Sequence, residues 1–237
     1  MFRAVLTYAF LAVYIFVGAL IGVPWTWITG DVSLLYSISR RGALTALQLS
    51  GVKLRIIHPE RARKYPTCVF VSNHISNLDP AALFGILPRI SVILKQELRR
   101  IPILGYVMSL GSFVYVDRRN PDSRKQALED ATDLLRSGVS LLVFPEGTRS
   151  KDGRMLPFRP GPFTMAIESG AAVVPLTIHG TRELMPKGGF GIRPGTVTIT
   201  FEEPIVTTGM GHDDRSALMD QARRAMQDRL DADSDRR

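Results

Sequence analysis

The hydrophobic pattern divides the chain into a continuous apolar opening and a longer, alternating remainder. Residues 4–23 carry no charge, with Arg3 before them and Pro24, Trp25 and Trp27 after. A helix of about 20 residues reaches about 30 Å, roughly the hydrocarbon thickness of a bilayer. The two tryptophans then fall where amphipathic rings favour a membrane interface. A cleavable signal peptide is the competing reading, disfavoured by a single arginine at the start and no Ala-x-Ala site. Residues 32–50 predict a second, shorter helix. Helical spacing puts Leu35, Ile38, Ala46 and Leu49 on one side, while Leu44 and Leu47 fall nearer Arg40, so the stripe is not clean. The first helix can cross the membrane, or dip in and return so that the pair forms a monotopic anchor; the pattern leaves both open.

From Val52 onward, short apolar runs alternate with helical periodicity. Strands are expected over 52–58, 67–72, 90–94, 113–116, 139–144, 172–178 and 196–201. Helices are expected over 80–87, 123–137 and 163–169, with a Gly- and Pro-punctuated helical piece before Phe113. This order implies an α/β sheet with functional loops at strand ends. The tail from Asp213 to Leu230 has acidic residues in its first turn and Met219, Ala222, Met226 and Leu230 at helical spacing, the pattern of a docking helix; residues 231–237 are polar and expected to fray. The organisation expected is therefore an anchoring segment (1–50), a catalytic domain (51–210) and a C-terminal helix with its tail (211–237).

Composition narrows the function. The chain's 237 residues suffice for one sizeable core, and a net charge of +8 calls for an anionic partner. The basic residues come in pairs (Arg40-Arg41, Arg99-Arg100, Arg118-Arg119, Arg223-Arg224, Arg236-Arg237) rather than as a basic helix with stacking aromatics. No nucleic-acid motif is present, so lipid headgroups fit better than DNA. The single cysteine, Cys68, excludes an intrachain disulfide and fits a reducing compartment, and no Cys/His cluster has zinc spacing. There is no Gly-x-Ser-x-Gly elbow, and Gly188-Gly189-Phe190-Gly191 lacks the lysine of a P-loop. A covalent acyl-enzyme is disfavoured, and no nucleotide cofactor or metal is implied.

The chemistry gathers where the strand at Val69-Phe70-Val71 ends in Ser72-Asn73-His74-Ile75-Ser76-Asn77-Leu78-Asp79-Pro80. Asp79-Pro80 is a helix start signal, with the carboxylate expected to accept first-turn N–H groups and Pro80 at the first helical position. On a continuous helix, side chains five apart diverge by roughly 140°, but across a strand-to-helix turn they can meet. Asp79 can then fix the tautomer of His74 and leave the other nitrogen as a base for a hydroxyl. Taken alone, Asp79 reads equally as a cap and His74 as a turn histidine.

The spelling Asn73-His74-x-Ser76-x-x-Asp79 resembles the first block of the glycerolipid acyltransferases, the 1-acylglycerol-3-phosphate acyltransferase family. Further blocks follow in the family's order. Lys95-x-Glu97-Leu98 with Ile101-Pro102-x-x-Gly105 is similar to the segment between the first two blocks. Gly111 to Arg118 resembles the second, Phe144-Pro145-Glu146-Gly147-Thr148-Arg149-Ser150 matches the third at every position, and Val173-Val174-Pro175-Leu176 resembles the fourth, a strand broken by proline. Together they cover about residues 51–205. The resemblance implies a mixed sheet flanked by helices and direct acyl transfer from acyl-CoA or acyl-carrier protein to the sn-2 hydroxyl of lysophosphatidic acid, at the cytoplasmic face of a membrane. His74 and Asp79 would be catalytic; Lys95, Arg118, Glu146, Gly147, Thr148 and Arg149 would bind substrate. The third block also makes physical sense alone: Gly147 allows a tight turn, Thr148 and Ser150 offer hydroxyls, and Arg149 a guanidinium fork suited to phosphate. Its plain alternative is a Gly turn in which Arg149 pairs with Glu146, just as Arg118 can be a surface arginine beside Asp117. Other open readings are transfer to glycerol 3-phosphate or another lysolipid, and a non-catalytic membrane-anchored module that binds phospholipid headgroups.

Overall fold

The computed structural model describes residues 2–150 and 152–234; Arg236-Arg237 and the end of the polar tail lie outside them. A seven-stranded sheet forms the centre. Its strands are β1 (Val52–Ile57), β2 (Cys68–Ser72), β3 (Ile90–Lys95), β4 (Val114–Val116), β5 (Ser140–Val143), β6 (Ala172–His179) and β7 (Gly195–Phe201), in the order β1-β7-β6-β2-β5-β3-β4. All neighbours are parallel except β6 and β7, which run antiparallel, so the sheet is mixed. The helices are α1 (Phe2–Thr29), α2 (Ser33–Leu49), α3 (Leu78–Ile86), α4 (Leu104–Leu110), α5 (Pro121–Arg136), α6 (Gly161–Ser169), α7 (Thr181–Leu184) and α8 (Arg215–Ser234).

Strands β2 and β5 are buried along their whole length because both faces of the sheet are covered. Alternation then sorts the side chains. Phe70, Leu142 and Val174 point into a core with Leu47 of α2 and Leu78, Ala82 and Leu83 of α3. Val69, Val71, Leu141, Val143 and Val173 point the other way, against Ala127, Ala131 and Leu135 of α5, Phe163, Met165 and Ala166 of α6, and Leu218, Ala222 and Met226 of α8. The tail helix thus completes one of the two cores with Ala222 and Met226 as expected, adding Leu218 and keeping Met219 partly buried against it.

Two prolines behave differently from their sequence signals. Helix α1 does not stop at Pro24 but runs on to Thr29. A proline removes one hydrogen bond without forcing an end, and beside it the Thr26 hydroxyl donates to the Gly22 carbonyl at 2.9 Å. Strand β6 is not broken at Pro175, which pairs with Val71 inside the sheet. The N–H and C=O of Val173 face Ile205, so those of residue 175 face the same side. There the Pro175 carbonyl accepts from Glu202, and the missing N–H falls on the flank where β7 has given way to a single bridge at Ile205.

Helices α1 and α2 pack as an antiparallel pair, with Gly22 so close to Leu35 that a Cβ would lie 2.3 Å from it. The buried side of α2 takes Leu35 and Ala46 from the expected stripe and adds Tyr36 and Leu47, while Leu49 is half-buried. Most of α1 is exposed, including Val13, Phe16, Leu20, Ile21, Trp25 and Trp27. Arg3–Thr29 is long and apolar enough to cross a membrane. Both its ends are fastened to the rest of the fold. Near the start, Thr7 and Ser50 hydroxyls lie 3.0 Å apart and the Tyr8 hydroxyl donates to the Phe190 carbonyl at 2.8 Å. Near the end, Trp27 Nε1 donates to the Tyr106 hydroxyl of α4 at 3.0 Å.

Candidate active site

Because β2, β5, β3 and β4 are parallel neighbours, their C-terminal ends open on one rim of the sheet. The sequence places chemistry there four times over: His74 follows β2, Glu146 to Arg149 follow β5, Lys95 ends β3 and Arg118 follows β4. Crevices outside the carboxyl ends of strands are where such sheets bind ligands.

The backbone ladder of β2 ends at Ser72, opposite Leu176. Asn73 then continues the attachment with its side chain, accepting from the Ile178 N–H at 2.8 Å and donating to the Ile178 carbonyl at 2.9 Å. His74 comes next and both of its main-chain groups are held by the third block. Its N–H donates to Glu146 Oε1 at 2.8 Å, and its carbonyl accepts from the Ser150 N–H at 2.8 Å. The imidazole stacks on Phe144, with ring centres 4.1 Å apart and planes at 22°.

Asp79 is fully buried, while the His74 side chain keeps 17% of its surface exposed. Asp79 Oδ2 lies 2.8 Å from His74 Nδ1 and also accepts the N–H groups of Ile75 and Ser76 at 2.7 and 2.8 Å. An oxygen already accepting two N–H donors meets the ring nitrogen as an acceptor again, so Nδ1 carries the hydrogen and Nε2 has the free lone pair. The expectation of Asp79 as the cap of a helix starting at Pro80 needs correction. Helix α3 begins at Leu78, and Asp79 ties the turn before the helix rather than the N–H groups within it. Ser76 closes that turn, accepting from Leu78 N–H and donating to the Met185 carbonyl.

Glu146 is buried, and its two oxygens accept the N–H groups of His74 and Leu156. Burial raises its carboxyl above the ordinary range, opposed by those two hydrogen bonds. The alternative pairing of Glu146 with Arg149 does not form. Arg149 Nη1 is buried and has no hydrogen-bond partner among the described residues, while its carbonyl accepts from Lys187 Nζ at 2.7 Å. Nor does Arg118 pair with Asp117: Asp117 accepts from the Arg119 N–H, and Arg118 Nη1 donates to the Gly147 carbonyl. Thr148 is exposed at the turn. The Ser150 hydroxyl, offered above to a phosphate, instead donates to Asp152 at 2.9 Å and accepts from the Gly153 N–H. Lys95 is exposed, opposite Val116 in the ladder. Cys68 is fully buried, and burial pushes its thiol up to about 11, so it is inert.

Sequence reasoning missed Phe144 as the platform under the imidazole, Lys187 as the cation on the third block, and the main-chain role of Glu146. A signal existed only for the first, an aromatic ending the strand before the Gly turn.

The site thus brings together a histidine whose Nδ1 lies against a buried carboxylate and two arginines, Arg118 and Arg149, that form no ion pair with a carboxylate among the described residues. The chain belongs to the acyltransferase family, whose model matches residues 53–179. It is 42% identical over 139 residues to a chloroplastic 1-acyl-sn-glycerol-3-phosphate acyltransferase of Brassica napus, covering 58% of this chain and 40% of that one. Over 178 residues it is 32% identical to the human 1-acyl-sn-glycerol-3-phosphate acyltransferase beta, covering 74% of this chain and 64% of that one. The chain thus spans well under two thirds of the Brassica and Arabidopsis thaliana relatives, 40% and 39% of their lengths. The crystal structure of the 1-acyl-sn-glycerophosphate (LPA) acyltransferase of Thermotoga maritima superposes with a TM-score of 0.82 at 26% identity, covering 96% of this chain and 94% of that one.

Proposed function

We propose that this enzyme moves a fatty acyl group from a thioester, acyl-CoA or acyl-carrier protein, to the sn-2 hydroxyl of lysophosphatidic acid, giving phosphatidic acid. The observation that carries this reading is the His74–Asp79 pair, with Nδ1 held at 2.8 Å by a fully buried carboxylate. Nε2 takes the proton of the acceptor hydroxyl as its oxygen attacks the thioester carbonyl carbon. The carbon–sulfur bond then breaks, and the imidazolium returns the proton to the departing thiolate. Phe144 holds the ring plane, and the clasp of Glu146 and Ser150 on the His74 main chain fixes where that ring sits. Arg118, Arg149 and Lys95 supply positive charge for the acceptor's phosphate, with Gly147 and Thr148 shaping the turn that presents it. The printed names of the Brassica and human relatives support lysophosphatidic acid as the acceptor.

The exposed apolar length of α1 supports a membrane as the working surface. A helix fastened at both ends to one folded body lies along that body, because a spanning helix would carry one end about 30 Å away across the bilayer. We therefore place α1 in the plane of one leaflet, with the rim of the sheet facing lipid-borne substrate.

The test is purified full-length protein with a labelled acyl thioester, offered in turn as the CoA and carrier-protein forms, and a panel of acceptors. Lysophosphatidic acid should be acylated fastest. Preferential acylation of glycerol 3-phosphate, or equal rates with phosphate-free monoacylglycerol, would overturn the acceptor assignment.

A further inference from the structure

Arg159 belongs to none of the motif blocks, yet the chain folds it onto the third one. Its main-chain N–H donates to the Pro145 carbonyl at 2.9 Å, which seats it beneath the turn. Its side chain runs back over Gly147, so closely that a Cβ at that position would lie 2.6 Å from Arg159 Nε. The φ of +70° at Gly147 calls for glycine, and its lack of a side chain leaves the room in which the arginine lies. Arg118 reaches the same residue from the end of β4 and donates to its carbonyl.

Two guanidinium groups thus converge on one glycine. Like charges gathered without a counterion are unfavourable, and neither arginine forms an ion pair with a carboxylate among the described residues. Burial, and then the charge of Arg159, pulls the Arg118 guanidinium below its ordinary value, with Glu97 opposing from beyond ion-pair distance. An anion placed between the two relieves that repulsion. Guanidinium forks match phosphate oxygens in geometry as well as charge. The spacing of this pair from the catalytic turn is set by the chain itself, because Gly147 directly follows Glu146, which holds the His74 main chain.

We propose that Arg159 is a substrate-binding residue, forming with Arg118 the seat of a phosphate group. The inference rests on the acyl-transfer reading above and adds to it a residue that no motif contains. A phosphate can come from the lysophosphatidic acid acceptor or from the thioester donor, and the kinetic arms separate the two. Arg159 is exposed at the surface, so Arg159→Gln leaves the core intact; an unchanged melting temperature confirms this before kinetics are read.

The experiment measures KM and kcat of wild type, Arg159→Gln and Arg159→Lys for lysophosphatidic acid, for the acyl thioester and for monoacylglycerol. Loss of a charge-assisted contact should raise the KM for lysophosphatidic acid about 10- to 100-fold in Arg159→Gln, more than it lowers kcat. Arg159→Lys should recover part of the loss, and the preference of the enzyme for lysophosphatidic acid over monoacylglycerol should shrink by the same factor. A rise confined to the KM of the thioester would keep the phosphate seat and assign it to the donor. If wild type and Arg159→Gln prefer lysophosphatidic acid equally, with both KM values unmoved, the role of Arg159 is refuted while the acyl-transfer reading stands. If wild type itself shows no preference, both fall together.

Discussion

Glu146 shows what a residue contributes when its position, rather than its charge, is used. The resemblance makes it part of the acceptor site, yet both of its oxygens are engaged by main-chain N–H groups, one of them belonging to His74. Glutamine keeps one acceptor oxygen and turns a donor toward the other N–H. Glu146→Gln should therefore lower kcat about 10- to 100-fold through a displaced base, with little change in the KM for lysophosphatidic acid; a KM effect alone would mark it as a ligand instead. The raised carboxyl adds a pH signature. Between the ordinary glutamate value of 4.5 and its raised value, the folded chain holds a proton that the unfolded chain has released. The stability of wild type relative to Glu146→Gln should thus fall as pH rises through that window and level off above it, as read from urea midpoints. None of this was legible in the sequence, because the partner lies 72 positions away. His74 and Asp79 were legible because a single local turn brings them together.

At the level of elements, the hydrophobic pattern located every strand to within a residue or two: the central β2 and β5 as apolar runs, because both faces are buried, and the edge strand β1 by alternation. The errors fall at prolines, whose effect depends on which side of the chain their missing N–H faces. That side is fixed by neighbours distant in sequence, such as Ile205 beside β6. The stripe of the second helix was legible in part: Leu35 and Ala46 are buried as expected, and Tyr36 and Leu47 join them because α2 packs against both α1 and α3. The two N-terminal helices should consequently separate by experiment. Deleting residues 1–30 removes the exposed α1 and uncovers Leu35, but leaves Tyr36 and Leu47 of α2 packed on the domain. That variant should stay folded and lose its flotation with phospholipid vesicles. Deleting residues 1–50 should strip Leu47 from the core and cause aggregation. Undiminished flotation of the shorter deletion would contradict α1 as the membrane element.

Across the whole molecule, function depends on strand order. Lys95, Arg118, Glu146 and His74 are scattered over 72 positions of sequence, and meet because β2-β5-β3-β4 are parallel neighbours with their ends on one rim. The motifs were legible as blocks, but their arrangement is a property of topology, and both the stacking of Phe144 on His74 and the place of Arg159, a residue outside the blocks, follow only from it. The role proposed for this rim is to position His74 as the base. Its most direct test is the single-turnover rate of acyl transfer to lysophosphatidic acid by His74→Ala, with both substrates saturating and the melting temperature matched to wild type. The rate should drop about 100- to 10,000-fold, the range a positioned general base supplies. A rate within about threefold of wild type would contradict that role.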